Sequence, residues 1–182
     1  MSRCRIIFSG SGGQGVITAS IILAEAAVIQ EELNAVQSQA YGPEARGGAT
    51  RADVIIDDQP IRFPKVNQPN ILICLTQEAY NKFCGIIRPG GLLLIDTHFV
   101  KYPQRKVDAR QFSLDMYRTV MDEIGRPIVF NICVLGAMLG LNPVVRPSSV
   151  LEVLKSKIPS DFVEMNQKAL DIGARLAENY PR

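Results

Sequence analysis

The stretch Gly10-Ser11-Gly12-Gly13-Gln14-Gly15 decides how the chain begins to fold. It separates an apolar run of strand length at residues 3–8 from an apolar segment of helix length at residues 16–33. Glycines allow a tight turn there and keep side chains away from whatever approaches the backbone. A strand, a glycine turn and a helix in this order predict the opening unit of an α/β domain.

Apolar runs and helical segments alternate through the rest of the chain, as an α/β domain requires. Residues 49–63 predict a hairpin, with a strand at 49–56 and a short return strand at 61–63. Four polar residues predict helix N-caps: Ser113, Asn131, Ser148 and Ser160. Further strands are predicted at 35–38, 70–75, 92–96 and 107–112, and helices at 77–87, 113–124 and 131–141, with two closing helices after Ser148 and Ser160. Residues 1–182 therefore predict one α/β domain with three layers, a mixed and largely parallel sheet and an inserted hairpin.

The first helix is apolar nearly all round, because its polar stripe consists of Thr18, Glu25 and Glu32 alone. A helix without a broad polar face is buried on most sides. We expect its own sheet to cover one side of the helix and a further element, such as another subunit, to cover the next. A homodimer of the isolated chain through this helix is one form that such contact could take.

Composition excludes several classes of protein. The chain has 182 residues, 47% of them hydrophobic and 21% charged, which is typical of a folded globular domain. A net charge of +2 is too balanced to predict a nucleic-acid-binding surface. No apolar run approaches the ~20 residues of a membrane helix, and no signal peptide is expected at the N-terminus. We therefore predict a cytoplasmic protein without nucleic-acid or membrane partners.

The four cysteines predict no metal site. Cys4, Cys74, Cys84 and Cys133 are widely separated, and none belongs to a Cys-x-x-Cys pair. Iron–sulfur and structural zinc sites need thiolates at short spacing. These cysteines are expected to be small buried side chains, so any redox centres must belong to other chains.

The glycine turn satisfies the dinucleotide fingerprint G-x-G-x-x-G, but its usual confirming acid is missing. Residues 34–38, where an aspartate or glutamate would hold the ribose, include Gln37 and no acid. A P-loop fits less well, because Val16 and Ile17 replace its lysine and its serine or threonine. Two interpretations remain open: a turn that binds an anionic group at the helix N-terminus, and a turn that only packs a helix closely on a strand.

A second cluster follows at residues 37–48, and residues 39–48 of it show no apolar periodicity. Arg46 could bind a carboxylate or phosphate in a planar, two-bond contact, and the glycines beside it would leave the backbone clear. The alternative is a solvated loop in which Glu44 and Arg46 pair with each other. The candidate residues of the two clusters are Gly10, Gly12, Gly13, Gln14, Gly15, Tyr41, Glu44, Arg46, Gly47 and Gly48.

No catalytic set of residues is recognisable in the chain. His98 is the single histidine and follows Asp96 at a predicted strand end, where a structural role is the more common one. No nucleophile elbow, zinc-protease motif or paired-carboxylate pattern is present. We therefore assign no catalytic residues and no metal ligands.

The two clusters, in this order, resemble the gamma subunit of the 2-oxoacid:ferredoxin oxidoreductases. The resemblance rests on residues 10–16 and 39–48, and continues through residues 52–56, the Pro69-Asn70 step, Asn131 and residues 135–137. It covers essentially the whole chain. Asn70 departs from the family pattern, in which an aspartate follows the proline.

The resemblance implies a function that the residues alone do not. Enzymes of this family decarboxylate a 2-oxoacid oxidatively, form acyl-CoA and reduce ferredoxin. It implies that thiamine diphosphate, Mg²⁺ and iron–sulfur clusters belong to partner subunits of the alpha, beta and delta types, with none bound by this chain. CoA would be a co-substrate, and the two clusters would contact its phosphates, a neighbouring subunit, or both. The resemblance favours the 2-oxoglutarate branch, whose gamma chains are similarly short and separate, and the branched-chain 2-oxoacid and indolepyruvate enzymes, which have similar chains, are the alternatives. The isolated chain is expected to be inactive.

A different class of function stays open at this stage. The chain could be a free-standing module that binds CoA or a nucleotide without catalytic partners. The missing ribose-binding acid and the very apolar first helix count against it. Tight binding of NAD by the isolated chain would contradict the interpretation of Gln37.

Overall fold

Six strands form one mixed sheet in the computed structural model, which describes residues 3–39, 49–103 and 106–180. The strands are β1 (Cys4–Gly10), β2 (Asn34–Gln39), β3 (Thr50–Asp57), β4 (Ile71–Cys74), β5 (Gly91–Asp96) and β6 (Ala109–Leu114). Their order across the sheet is β2-β3-β1-β4-β5-β6. The pairs β1–β4, β4–β5 and β5–β6 are parallel, whereas β3 is antiparallel to both β1 and β2. The predicted mixed, largely parallel sheet is confirmed.

Helices cover both faces of the sheet. They are α1 (Val16–Glu25), α2 (Gln77–Phe83), α3 (Met116–Glu123), α4 (Phe130–Leu141), α5 (Pro147–Lys157) and α6 (Val163–Glu178). One core joins alternate residues of β1, such as Ile6 and Phe8, to α1 and to the C-terminal helices. A smaller core joins Ile7 and its neighbours to α2. Because side chains alternate between the faces of a strand, successive residues of β1 enter different cores, and the predicted three layers result.

The hairpin predicted at residues 49–63 is wrong in its second half. Residues 61–63 form no strand. The antiparallel hairpin is instead made by β2 and β3, with Ala35 opposite Ile56 and Gln37 opposite Val54. The physical reason is that β3 lies between β2 and β1, so both of its hydrogen-bonding edges are already occupied and no edge is left for a return strand.

All four predicted N-caps are also wrong. Strand β6 continues past Ser113 to Leu114, and the residue at the N-cap of α3 is Asp115. Helix α4 begins one residue before Asn131, after a 3₁₀ turn. The N-cap of α5 is Arg146, with Pro147 at the first helical position, so Ser148 lies inside the helix. Ser160 is the first residue of a 3₁₀ turn that precedes α6. Proline at the first helical position is itself a common start signal, which explains the start of α5.

The first helix is shorter than predicted and is covered within the chain. Helix α1 ends at Glu25 and continues as a π-helical turn, Ala26–Gln30. It packs against β1, β2 and β3 on one side and against α4 and α5 on another. Two apolar side chains of the π turn stay in solvent, Val28 at 48% and Ile29 at 63% exposure. The C-terminal helices thus provide the cover that the apolar pattern requires.

Helices α4 and α6 cross unusually closely. Eleven of the twelve residues of α4 are buried. At the crossing, a Cβ on Gly136 would overlap the carbonyl of Leu170, and a Cβ on Gly173 would overlap the carbonyl of Cys133. Two glycines facing backbone let the helix axes approach, as small residues do wherever helices pack tightly.

An ion pair fastens the end of the first helical segment to α5. Glu31 Oε1 accepts hydrogen bonds from Ser149 Oγ at 2.6 Å and from the backbone and Nε of Arg146 at 2.9 and 3.0 Å. The Ser149 hydroxyl, followed by the Arg146 contacts, lowers the pKa of Glu31. A carboxyl group whose pKa is lower in the folded state stabilises the fold at pH values above its unfolded-state pKa. That stabilisation is lost as the pH falls through its folded-state pKa.

We expect Glu31→Gln to reduce the free energy of unfolding by about 1 kcal/mol at about pH 7, with the difference from the unaltered protein disappearing as the pH falls through the lowered pKa of Glu31. Urea unfolding at a series of pH values measures this. Glu152→Gln is the control, because the Glu152–Lys155 pair is about half exposed on the surface of α5 and surface pairs contribute little. A difference between Glu31→Gln and the unaltered protein that stays constant with pH would contradict the assignment.

Candidate functional site

The glycine turn leaves the sheet at the carboxyl end of β1 and leads directly into α1. Gly13 and Gly15 have φ angles of +85° and +70°, which non-glycine residues rarely adopt. No side chain caps the first turn of α1, and Gly15 occupies the N-cap position. The order strand, turn, helix is the one predicted from the sequence, and the turn geometry explains the glycines at these two positions.

The turn is open on its outer side. Ser11, Gly12 and Gly13 are exposed. A Cβ added to Gly12 or Gly13 would meet no other atom within 4 Å. The backbone of the turn is therefore reachable by a ligand or by another protein, as the anion-binding interpretation of the motif requires.

Gln14 braces the turn from inside. Its Nε2 donates to the carbonyl of Leu75 at 3.0 Å, and its Oε1 accepts from the backbone N–H of Ser11 at 2.8 Å. A Cβ on Gly10 would overlap Gln14 Oε1, so the first glycine makes room for this brace. Both ends of the Gln14 amide are thus occupied within the chain, and its role in the described residues is to hold the turn against the end of β4.

Asn131 supports the turn from beneath. Its Nδ2 donates to the carbonyl of Gly15 at 3.4 Å, and a Cβ on Gly15 would lie 2.7 Å from the Asn131 side chain. Asn131 Oδ1 is buried and has no hydrogen-bond partner among the described residues. The sequence predicts Asn131 only as a helix cap, and its contact with Gly15 was not expected. A lone amide within the apolar stretch of α4 was the available signal, since a buried polar group normally has a partner elsewhere in the fold.

The candidate residues of the second cluster lie outside the described residues. Tyr41, Glu44, Arg46, Gly47 and Gly48 are all in the segment 40–48, between the end of β2 and Ala49. The described chain resumes next to the first cluster: Thr50 is the register partner of Gly10, and Ser9 Oγ donates to the carbonyl of Thr50 at 2.9 Å. The segment after the second cluster therefore starts at the same edge of the sheet as the glycine turn.

The topology argues against a dinucleotide at this turn. In a dinucleotide-binding fold, the strand that carries the ribose-binding acid lies next to the strand that precedes the turn. Here β3 separates β2 from β1, which places Gln37 two strands away from the turn, about 10 Å in strand spacings. Gln37 instead donates through Nε2 to Ser20 Oγ of α1 at 3.1 Å.

The cysteines do not form a metal site in the part of the chain that the structure describes. All four are buried, and none of them belongs to a disulfide bond. Burial raises the pKa of Cys4 and Cys133 to about 12 each and raises that of Cys74 as well, which keeps these thiols protonated. Within residues 3–39, 49–103 and 106–180, no group of three His, Cys, Asp or Glu side chains is arranged to hold a metal ion. This donor set does not fit an iron–sulfur cluster.

Asp96 and His98 form a structural turn at the end of β5. Asp96 is fully buried, and its two oxygens accept from the backbone N–H groups of His98 and Tyr117, each at 2.8 Å. Burial raises the pKa of Asp96, and these backbone donors act in the opposite direction. The His98 ring packs against Tyr117 and Phe99, with centroids 4.8 and 4.7 Å away. The contacts of both residues are internal.

None of the described helices is both long and apolar enough to cross a membrane.

The fold and the site together define an α/β domain with an internally braced glycine turn whose backbone is exposed at one edge of the sheet. The family model of pyruvate ferredoxin/flavodoxin oxidoreductases matches residues 5–176. The chain belongs to this family, which confirms the resemblance found in the sequence.

Named relatives agree with this assignment. The chain is 42% identical over 179 residues to the 2-oxoglutarate synthase subunit KorC of Methanocaldococcus jannaschii, covering 97% of this chain and 95% of that one. The crystal structure of the gamma subunit of a keto/oxoacid ferredoxin oxidoreductase from Geobacter sulfurreducens is 41% identical, with a TM-score of 0.88 over 97% of this chain and 99% of that one.

A larger protein contains the same fold. The 2-oxoglutarate:ferredoxin oxidoreductase of Magnetococcus marinus superposes with a TM-score of 0.88 over 100% of this chain and 32% of that chain, at 20% identity. At that identity the likeness concerns the fold alone. The same fold is thus found both as a separate chain and as part of a longer one.

Proposed function

We propose that the chain is the gamma subunit of a 2-oxoglutarate:ferredoxin oxidoreductase complex. The observation that carries the proposal is the 42% identity, over nearly the full length of both chains, to a 2-oxoglutarate synthase subunit. The complex would decarboxylate 2-oxoglutarate oxidatively, form succinyl-CoA and pass electrons to ferredoxin. Partner subunits of the alpha, beta and delta types would hold thiamine diphosphate, which serves as the carbanion sink, together with Mg²⁺ and iron–sulfur clusters.

In this proposal the chain contributes binding surface. The exposed backbone of residues 11–13, braced through Gln14 and supported by Asn131, would receive either the phosphates of CoA or a segment of a partner subunit. The Magnetococcus marinus protein, which shares the fold, has 2-oxoglutarate, coenzyme A and succinyl-CoA bound. The free-standing nucleotide module is disfavoured, because β3 separates the glycine turn from the strand that would complete such a site.

The assembly proposal is tested by purifying the tagged chain from its native host. We expect chains that bind thiamine diphosphate and iron–sulfur clusters to co-purify in fixed stoichiometry, with viologen reduction that is fastest with 2-oxoglutarate. Recovery of the chain alone and without activity would contradict the proposal. Preference for a different 2-oxoacid would retain the subunit assignment and correct the substrate.

Arg46→Ala tests the role of the second cluster. If Arg46 binds a CoA phosphate, its loss should raise the KM for CoA of the assembled complex about tenfold with little change in kcat, because one charge-assisted contact is removed. Arg118→Ala is the control, since Arg118 is 70% exposed on α3. Normal assembly with an unchanged KM for CoA would exclude a CoA contact, and failure to assemble would assign Arg46 to a subunit interface.

A further inference from the structure

A basic cavity lies at the opposite end of the sheet from the glycine turn. Its volume is about 780 Å³, and three of its lining residues are cationic: Arg5, Lys65 and Arg88. The other lining residues are Phe63, Asn67, Gln68 and Pro89. Arg5 lies near the start of β1, and Arg88 precedes β5, so the cavity is at the amino ends of these parallel strands. A ligand there would be separated from the turn by the length of β1.

The positive charge of this cavity is not compensated nearby. None of its three cations forms an ion pair with a residue in the described parts of the chain. The buried or half-buried carboxylates of β3 already hold other arginines: Asp57 pairs with Arg3, and Asp53 pairs with Arg51. Three cations that converge on one concave surface produce a focused positive potential, which attracts polyanions.

The frame that carries the two arginines is well ordered by backbone hydrogen bonds. Asn70 holds the backbone of Arg5 through two hydrogen bonds. Asn70 Oδ1 accepts from the N–H of Arg5 at 3.0 Å, and the N–H of Asn70 donates to the carbonyl of Arg5 at 2.7 Å. Arg88 N–H donates to the carbonyl of Pro69 at 3.1 Å, and Arg88 accepts from the N–H of Gly91 at 2.9 Å. A rigid frame reduces the entropy lost when a ligand binds.

The segment that forms the other wall is held in place at Val66. Val66 is 1% exposed, and its carbonyl accepts from Arg51 Nη2 at 2.6 Å. This anchor presents Lys65 and Asn67 to the cavity from either side of a buried residue.

Phe63 adds an aromatic face to this basic cavity. Its side chain is 62% exposed, although a phenyl ring of this size is normally buried. Phosphate groups are recognised by arginine and lysine, and the flat rings of nucleobases stack on aromatic side chains. Asn67 and Gln68 offer amide donors and acceptors of the kind that bind sugar hydroxyls. The volume lies within the usual range of small-molecule sites.

We propose that the cavity lined by Arg5, Phe63, Lys65 and Arg88 binds a nucleoside phosphate, with the phosphates on the three cations and the base on the Phe63 ring. The ligand is either a free nucleotide or the nucleotide end of a larger cofactor. This site is separate from the glycine turn and independent of the function proposed for it.

Calorimetric titration of the full chain with ADP tests the site. We expect Arg88→Gln and Lys65→Gln each to weaken ADP binding about tenfold, and the affinity to fall with added salt. Phe63→Ala should weaken ADP binding but leave pyrophosphate binding unchanged, because pyrophosphate has no ring to stack. Arg118→Gln, on the surface of α3, is the matched control. Lys65 and Arg88 are exposed, so their variants should keep the fold, which thermal unfolding verifies.

The choice of probes separates the two sources of the ligand. Equal affinity for ADP and CoA would indicate that the cavity binds only the nucleoside phosphate part of a ligand. Tighter binding of CoA than of ADP, weakened by Arg88→Gln, would identify the nucleotide end of CoA as the ligand. No ADP binding, or ADP binding that none of the cavity variants changes, would overturn the proposal. Binding of an oligoglutamate peptide without ADP binding would also overturn it, in favour of an acidic protein partner.

Discussion

Gly173→Ala should lower the free energy of unfolding by about 3 kcal/mol, and with it the Tm by roughly 8 °C, which is one of the largest effects a single methyl group could have in this chain. The new Cβ would overlap the carbonyl of Cys133 and lie 2.6 Å from the backbone N of Ala137. Both contacts are with the backbone of α4, so no side chain can rotate away to relieve them. The helices must separate, and the buried face of α4 loses its packing.

Gly85→Ala is the matched control for this experiment. A Cβ on Gly85 would meet no atom within 4 Å, and its φ angle is not in the positive region that favours glycine. Urea and thermal unfolding should therefore give nearly unchanged values for Gly85→Ala. Gly136→Ala, on the other side of the same crossing, should be as damaging as Gly173→Ala. Near-native stability of either crossing variant would show that the two helices lie further apart than the structure places them.

Asp96→Ala should lower the free energy of unfolding by about 3 kcal/mol, because two backbone N–H groups would lose the fully buried acceptor that they share. Its carboxylate joins the end of β5 to the start of α3 through the N–H groups of His98 and Tyr117. Asp96→Asn can accept through one oxygen only, so we expect an intermediate loss. Both are measured by urea unfolding.

Asp122→Ala is the control for Asp96→Ala, since Asp122 is exposed at the end of α3. Its removal should leave stability unchanged or raise it slightly, because a negative charge near a helix C-terminus is unfavourable. Equal stabilities of Asp96→Ala and Asp122→Ala would mean that water replaces the carboxylate without cost and would contradict the structural role of Asp96.

Local sequence patterns predicted the elements whose causes are local. The turn at residues 10–15 was predicted because positive φ angles favour glycine whatever surrounds them, and two of its glycines have such angles. Buried strands such as Ile71–Cys74 were recognisable because an apolar run of four to six residues fits a strand between helical layers. The family resemblance rests on the same two clusters, and the matched family model confirms it.

Two of the errors concern contacts between residues far apart in the chain. A return strand after β3 was plausible from turn residues alone, but the pairing of β3 with β1 depends on a register between residues forty or more positions apart. Asn131 has the residue type of a cap, yet its partner is Gly15, 116 positions earlier. Local propensity is a weak prior, and such tertiary contacts override it.

The sequence by itself determined the class of fold, the glycine turn and the family, since each depends on residue type and short spacing. Only the tertiary structure decided that β3 separates β2 from β1, that glycines set the distance between α4 and α6, and that Arg5 and Arg88 share one cavity. The physical reason is that backbone conformation is a property of neighbouring residues, whereas packing distance and local charge depend on which segments the completed fold brings together.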